Sequence, residues 1–488
     1  MMKTLKSLIK NFLKLFVRVE YIVYRDTPRR GELIVKYSLG SLVLFTKYCK
    51  SAGRKEHRLF DAITIRKNHK KIDKLISQTQ NNYPLILSRI RTRVAGGGGI
   101  RVGFLVLLDS MFSFRPVFEA MLKDSTFAPL VIVIPDTLRG EKRCFDELLS
   151  NHQRLLEAYP AHKDKILCSY DWQSKKFIDF APMLDVAYFN NPYDLMTHRL
   201  YSIGYLSQFT LTLHISYGYM GLLNYGLQVF ASLEYSLLWN IYVENQNVYD
   251  LIKSSQVAEI QNLKVIGYLK MDKIQPVIES AKEIQNKRKK IIIAPHHTLT
   301  LENFPLYLSN FLRLSDFYLN LPSLYPQIDF IFRPHPLLFT QIIIHKAYGE
   351  DSQSFVENYL KQIEQIPNMI YQEGGDYFES FATSSALIHD CGSFISEYLY
   401  TDKPEAFIIE SNETIKREFT PFGEEVLTHL YLLSTKKDII DFIDSVVLQE
   451  QDFMKQERIT FAKEHIRVNY PNATRIALND LKQSLGIN

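Results

Sequence analysis

Two short segments carry the residue types from which phosphate chemistry is built. IDFIFRPHP at 328–336 ends in Arg333 and His335, each set beside a proline. SSALIHDCGSFISEYLYTDKPEAFI at 384–408 places His389, Asp390, Gly392 and Ser393 directly after an apolar run. An arginine presents paired N–H groups that match phosphate oxygens, and flanking prolines lower the entropy lost in holding it still. Gly392 permits close backbone approach, and Ser393 offers a hydroxyl where a helix begins, an end that favours anions. Glu397, one turn on, suits a ribose or nucleobase and equally an ordinary solvated helix acid. Asp390 reads as a catalytic carboxylate or as a turn cap. Cations and backbone N–H groups at two neighbouring strand ends point to a diphosphate-bearing donor.

Three further histidines stand at strand ends. His214 closes an apolar run and precedes ISYGYMG, where Gly218 and Gly221 allow a sharp turn. An imidazole there titrates near neutrality and can accept the proton of an attacking hydroxyl, or can simply hydrogen-bond a loop. His296 and His297 follow KKIIIAP and precede Thr298, so His296 and Thr298 join the expected donor site. Adjacent side chains on an extended segment point apart, and no carboxylate motif completes a metal site, so no metal is expected. The chain has no Asp-x-Asp pair. Charge neutralisation by Arg, His and helix N-termini is therefore expected in place of a divalent cation. Cys391 shows no sign of activation and reads as packing.

These residues need a scaffold that puts strand ends side by side. Short apolar runs at 101–108, 129–134, 184–189 and 210–216 alternate with helical stretches near 114–124, 141–158 and 194–206. After a polar stretch at 278–290, read as a hinge, strands restart at 290–294, 328–333, 369–372, 386–390 and 405–409. Strands alternating with helices imply parallel sheets with right-handed crossovers, and ligands then bind beyond the carboxyl ends of the strands. The expectation is an α/β protein of two Rossmann-like domains facing a cleft. Its parts are a basic helical extension at 1–95, an acceptor domain at 100–280, a nucleotide-donor domain at 288–450 and a helical tail at 451–488. Gly96 to Gly99 read as a flexible linker, because they precede a strand where a dinucleotide loop would follow one.

At 488 residues the chain is long for one core. Hydrophobic content of 46% and charged content of 23% are those of a globular protein. The net charge of +5 hides an asymmetry: residues 1–100 carry +16 and the rest −11. On a helix over 3–19, Lys3, Lys6, Lys10, Lys14 and Arg18 share one face, and Leu5, Leu8, Ile9, Phe12, Phe16 and Val19 the other. That pattern suits a helix lying in an anionic headgroup layer, so residues 1–24 are expected to meet a membrane surface. No nucleic-acid motif accompanies the charge, and no nucleic-acid partner is expected. No run of about 18 uncharged apolar residues appears. Cys49, Cys144, Cys168 and Cys391 form no CxxC pair. A reducing compartment follows, and lysines interrupt any secretory-type apolar start.

The order of motifs then adds a resemblance. LHISYGYMG (213–221), VIGYLKMD (265–272), IIIAPHHT (291–298), FRPHPL (332–337) and LIHDCGSFISEYLYTDKPEAF (387–407) resemble, in sequence, the CDP-glycerol glycerophosphotransferase family of wall-polymer biosynthesis. The likeness covers roughly residues 100–445, and its last motif is the most specific. It implies a GT-B fold, peripheral attachment to the inner face of a bacterial cell membrane, and transfer of glycerol phosphate from CDP-glycerol to a lipid-linked or glycan acceptor. It implies no cofactor, the nucleotide-linked donor being a substrate. His214 falls on the histidine proposed as base, and Arg333, His335, Asp390, Gly392 and Ser393 on donor-binding motifs. Departures such as HDCGS, IAPHHTL and GYLK bear on the donor more than on the fold. A nucleotide-sugar glycosyltransferase for capsule or lipopolysaccharide, a sugar-nucleotide epimerase and a non-catalytic scaffold are the alternatives.

Overall fold

The computed structural model describes strands between residues 17 and 66, and residues 69–487 except 138–139, 192–195, 220, 224–233, 256–262, 284–287 and 300–305. The first strands are β1 (Val17–Val23), β2 (Leu33–Leu39), β3 (Leu42–Cys49), β4 (Lys55–Leu59) and β5 (Ile63–Arg66). They form an antiparallel sheet in chain order. This corrects the helical reading of 17–19 and of 57–66: β-branched and aromatic residues recur at every second position, as in VRVEYIV, and favour strands. The membrane-facing part of that reading, over residues 3–16, lies outside the described residues.

Helix α1 (His69–Ala95) follows. Ile76, Thr79, Tyr83, Ile86 and Ile90 are buried on one stripe, spaced by three and four residues. Tyr83, Ile86 and Ile90 join the core of the first half, and burying each contributes roughly 1.5–3 kcal/mol. The glycine run is therefore no loose joint. The Gly96, Gly97 and Gly98 amides bond back to carbonyls of the last turn, Gly97 takes φ +84°, and the chain enters a strand at Ile100. This is a helix C-terminal cap that requires glycine.

The first half holds β6 (Ile100–Val106), β7 (Phe127–Val133), β8 (Ile166–Cys168), a small hairpin of β9 (Tyr170–Asp171) and β10 (Lys176–Phe177), then β11 (Val186–Phe189), β12 (Leu211–Ile215), β13 (Asn240–Val243) and β14 (Leu263–Val265). Seven of these run parallel in the order β14-β13-β12-β11-β6-β7-β8. The second half holds β15 (Lys289–Ala294), β16 (Ile328–Phe332), β17 (Met369–Tyr371), β18 (Ala386–His389), β19 (Glu405–Ile408) and β20 (Tyr431–Leu433). These six are parallel in the order β17-β16-β15-β18-β19-β20. Two doubly wound parallel sheets make the protein a GT-B-like α/β fold. The expected hinge is partly a helix, Ile274–Glu283, and the helix expected at 194–206 is reduced to Arg199–Tyr201 and Ile203–Leu206.

In the second half, helix α2 (Phe311–Leu324) covers the sheet and α3 (Phe394–Glu397) follows β18. The chain then returns: α4 (Ala473–Leu485) buries Ala473, Ala477, Leu481 and Leu485 in the core of the first half. Asp272 accepts from the Ala473 and Thr474 amides at 3.3 and 2.6 Å and so caps α4. Asp480 takes Lys264 at 2.5 Å and the Tyr242 hydroxyl at 2.7 Å. The segment VIGYLKMD is thus spent on architecture: a Cβ on Gly267 would lie 2.2 Å from the Val468 carbonyl.

Candidate active site

A parallel sheet opens a crevice where its strand order reverses. In the second sheet that point lies between β15 and β18. The β15 exit carries His296, His297 and Thr298, and the β18 exit carries Asp390 to Ser393. On the other flank of β15, the Arg333 amide donates to Ile293 at 2.8 Å and the His335 amide to Pro295 at 2.9 Å. Register alone therefore brings the 296, 333 and 390 turns to one edge.

Three imidazoles gather there. Ring centroids lie 4.3 Å apart for His296–His297, 5.2 Å for His296–His335 and 4.0 Å for His297–His335. This corrects the expectation that adjacent histidines diverge; the chain turns after β15, and strand alternation no longer applies. One nitrogen from each lies within 4.8 Å of the others, a spacing that suits one shared ion. The backbone decides its sign. His335 Nδ1 accepts from the Leu337 amide at 3.1 Å, and His296 Nδ1 from the Thr298 amide at 3.3 Å. Both rings thereby carry their proton on Nε2 and are donors, which suits an anion and opposes metal ligation. Burial holds all three below the ordinary histidine range; His297 falls to about 4, and His296 and His335 are lowered further by their ring neighbours.

Arg333 is 6% exposed. Its Nη2 donates to the Gly375 carbonyl at 2.6 Å, and its guanidinium lies 5.6 Å from the Tyr377 ring centre. Its Nη1 is buried without a hydrogen-bond acceptor among the described residues. A buried cationic donor without an acceptor is costly unless something anionic completes it.

Other expected site residues are already engaged. Asp390 is fully buried. One oxygen accepts from the His296 amide, and the other from the Asn310 amide at 2.6 Å and side chain at 3.2 Å. Burial raises its carboxyl to about 6. With both oxygens committed it positions the His296 turn, which corrects its catalytic reading. His389 Nε2 meets Glu405 at 2.9 Å, and its Nδ1 accepts from the Cys391 amide at 3.1 Å, so it too is a brace. Glu397 binds the Tyr268 hydroxyl at 2.6 Å and the Tyr377 hydroxyl, with Lys270 at 3.6 Å. Tyr268 and Lys270 come from the segment after β14, so Glu397 is a buried tie between the halves, which corrects both the ribose-or-nucleobase reading and the solvated-acid one. Thr298 lends its hydroxyl to His296 Nδ1 at 2.8 Å. The helix behind Ser393 spans only Phe394–Glu397, too short to present the dipole expected of it.

The first half reaches this edge through the turn after β12. Gly218 has room for a Cβ 3.7 Å from that of Ser393, and a Cβ on Gly392 would meet Leu222 at 2.7 Å. The Gly221 carbonyl accepts from the Thr420 amide at 2.9 Å and hydroxyl at 3.2 Å. The turn after β12 thus meets those at 333 and 390, tied through Tyr377, Glu397 and Tyr268, whose hydroxyl also lies 3.4 Å from the Tyr217 carbonyl. His214 itself is 1% exposed, with Nδ1 at 2.9 Å from the Tyr235 hydroxyl. Burial lowers it to about 3.

Sequence reading missed Glu244, directly after β13. It is 2% exposed, and no cation pairs with it among the described residues. Burial raises it to about 7, against its own backbone amide and the Ser216 hydroxyl. A strand-end acid beside a strand-end histidine is the signal that was available.

No protein-family model and no curated protein matches the chain. Among solved structures it is similar to UDP-GlcNAc 2-epimerase from Neisseria meningitidis bound to UDP-GlcNAc (13% identity, 79% of this chain and 100% of that chain, TM-score 0.47). It is similar to the S. aureus MnaA–UDP co-structure (11%, 80% and 98%, 0.48). It is also similar to the wall teichoic acid polymerase TagF (11%, 86% and 98%, 0.48). Likeness at this level carries no chemistry across, and the reading of the site rests on its own geometry.

Proposed function

We propose that the protein is a transferase that binds a nucleotide-linked diphosphate donor in the second half and an acceptor hydroxyl in the first. The observation that carries this is the buried Arg333 guanidinium, one nitrogen without an acceptor, on a turn whose backbone bonds to the β15 exit where three imidazoles gather, at the switch point of a parallel sheet. Arg333 offsets charge on the diphosphate, and His335 and His296 donate Nε2–H groups to it. The chemistry needs no divalent cation to hold the donor. The motif series supports His214 as the acceptor-side base; its Nδ1 meets the Tyr235 hydroxyl and the Asn190 backbone faces the ring.

With CDP-glycerol, the acceptor oxygen attacks the phosphorus nearest glycerol, a P–O bond to the leaving phosphate breaks, and CMP departs. The motif series favours this donor and a lipid-linked or glycan acceptor of a cell-surface polymer. With a nucleotide sugar, attack falls on the anomeric carbon and releases the nucleoside diphosphate. That second reading is favoured by the loss of the family arginine, where the chain has Thr298, and by HDCGS at 389–393. An anionic membrane surface met by residues 1–24 on the cytoplasmic side completes the proposal.

The test is turnover of purified protein with CDP-glycerol and with a panel of nucleotide sugars, with and without a chelator. Release of CMP, or of a nucleoside diphosphate, in chelator identifies the reaction. Release of neither with any donor and a lipid-linked acceptor overturns it. Epimerised sugar nucleotide without acceptor identifies the epimerase alternative.

A further inference from the structure

Three neutral rings at 4.0–5.2 Å make an unusual welcome for an anion that arrives with two negative charges. We propose that the imidazole cluster of His296, His297 and His335 takes up a proton from solvent when a diphosphate ester enters the crevice, so that donor binding and protonation are one linked event. This rests on the reading of the crevice as a diphosphate site.

Geometry selects the ring that takes the proton. His296 and His335 each use Nδ1 to accept a backbone N–H, and protonation there breaks that bond. His297 Nδ1 is buried and has no partner among the described residues. It gains a proton without losing a hydrogen bond. Burial holds the cluster neutral at pH 7, with His297 lowered to about 4 and His296 and His335 lowered further by neighbouring rings. An adjacent diphosphate opposes that shift, because an anion within contact distance favours the charged ring.

The neighbouring charges leave that role open. Arg333, on the β16 turn with His335, bonds the Gly375 carbonyl and packs against Tyr377. Asp390, from β18, sends both oxygens to the His296 amide and to Asn310, and Arg313 lies on its far side. His389 faces His296 but is paired with Glu405. Cys391 is held as a thiol by burial, and Asp376, Tyr377 and Glu397 address Arg333 and Lys270. No described carboxylate makes an ion pair with the three rings, so the incoming anion is what charges them.

The experiment is calorimetric titration of the full chain with UDP-glucose and with CDP-glycerol, whose diphosphates carry no titrating proton near neutrality. Two buffers of different ionisation enthalpy give the protons exchanged per ligand. Uptake on the order of one proton is expected at pH 7, with affinity rising up to about tenfold per unit as pH falls from 8 to 6. His297→Gln should cut the uptake by more than half and flatten the pH dependence. Binding that is weakened by Arg333→Lys and His335→Gln but exchanges no proton overturns this inference and leaves the diphosphate site standing. Binding indifferent to both substitutions, or no binding of either ester, overturns the site and the inference together.

Discussion

At the scale of single residues, the site is a set of groups that the fold leaves short of partners. Arg333 is the sharpest case. Arg333→Lys keeps the charge but loses the fork, and should weaken diphosphate-ester binding by about 10- to 100-fold, read by calorimetry, with a small change in Tm. Glu244 gives a stability test with a fixed sign. Its folded carboxyl is raised to about 7 from an ordinary 4.5, so its contribution is whole below pH 4.5 and is lost as pH rises toward 7. Glu244→Gln removes that titration. The variant should match the parent in Tm near pH 4.5 and exceed it at pH 8, by on the order of 3 kcal/mol at most. Equal pH profiles for the two proteins would remove the buried charge from the account. The turn residues Arg333, His335, His296 and Gly392 were legible because their types and strand-end positions are written in sequence. What Asp390, His389 and Glu397 do was not: a carboxylate that braces a loop and one that does chemistry have the same letter, and only partners such as Asn310, Glu405 and Tyr268 separate them.

Among the elements, the decisive one is the turn that follows β12. It crosses into the second half and is locked there by two glycines. A Cβ on Gly423 would sit 2.3 Å from the Gly221 carbonyl, whereas one on Gly218 finds its nearest neighbour at 3.7 Å. Gly423→Ala should therefore lower stability by about 1–3 kcal/mol in thermal unfolding, and Gly218→Ala should leave it within about 0.5 kcal/mol. A Cβ on Gly392 meets a flexible Leu222 end, so Leu222→Ala should relieve most of the cost of Gly392→Ala in a double-mutant cycle. Buried strands such as KKIIIA and IDFIF were legible as unbroken apolar runs bounded by polar stretches. NIYV and LKV were not, being three or four residues with no turn signal to frame them. The alternation of β1 was hidden because a lysine pattern of helical period, Lys3 to Lys14, runs up to it and Arg18 continues that period.

Over the whole molecule, the chain closes on itself: α1 and α4 both pack on the first half, one entering and one returning from the second. Among the described residues, no helix is long and apolar enough to cross a membrane. Deleting 472–488 uncovers the apolar face that Ala477, Leu481 and Leu485 seal and removes Asp480, the partner of Lys264. The shortened chain should unfold in two separated transitions, the first half melting first, where the full chain unfolds in one. The central claim concerns the crevice between β15 and β18, and a crystal structure of the protein soaked with CDP-glycerol or UDP-glucose tests it most directly. The account predicts diphosphate oxygens within hydrogen-bond distance of Arg333 and of at least two imidazoles among His296, His297 and His335. A nucleotide bound elsewhere, or a divalent cation on those three rings with the diphosphate absent, would contradict it.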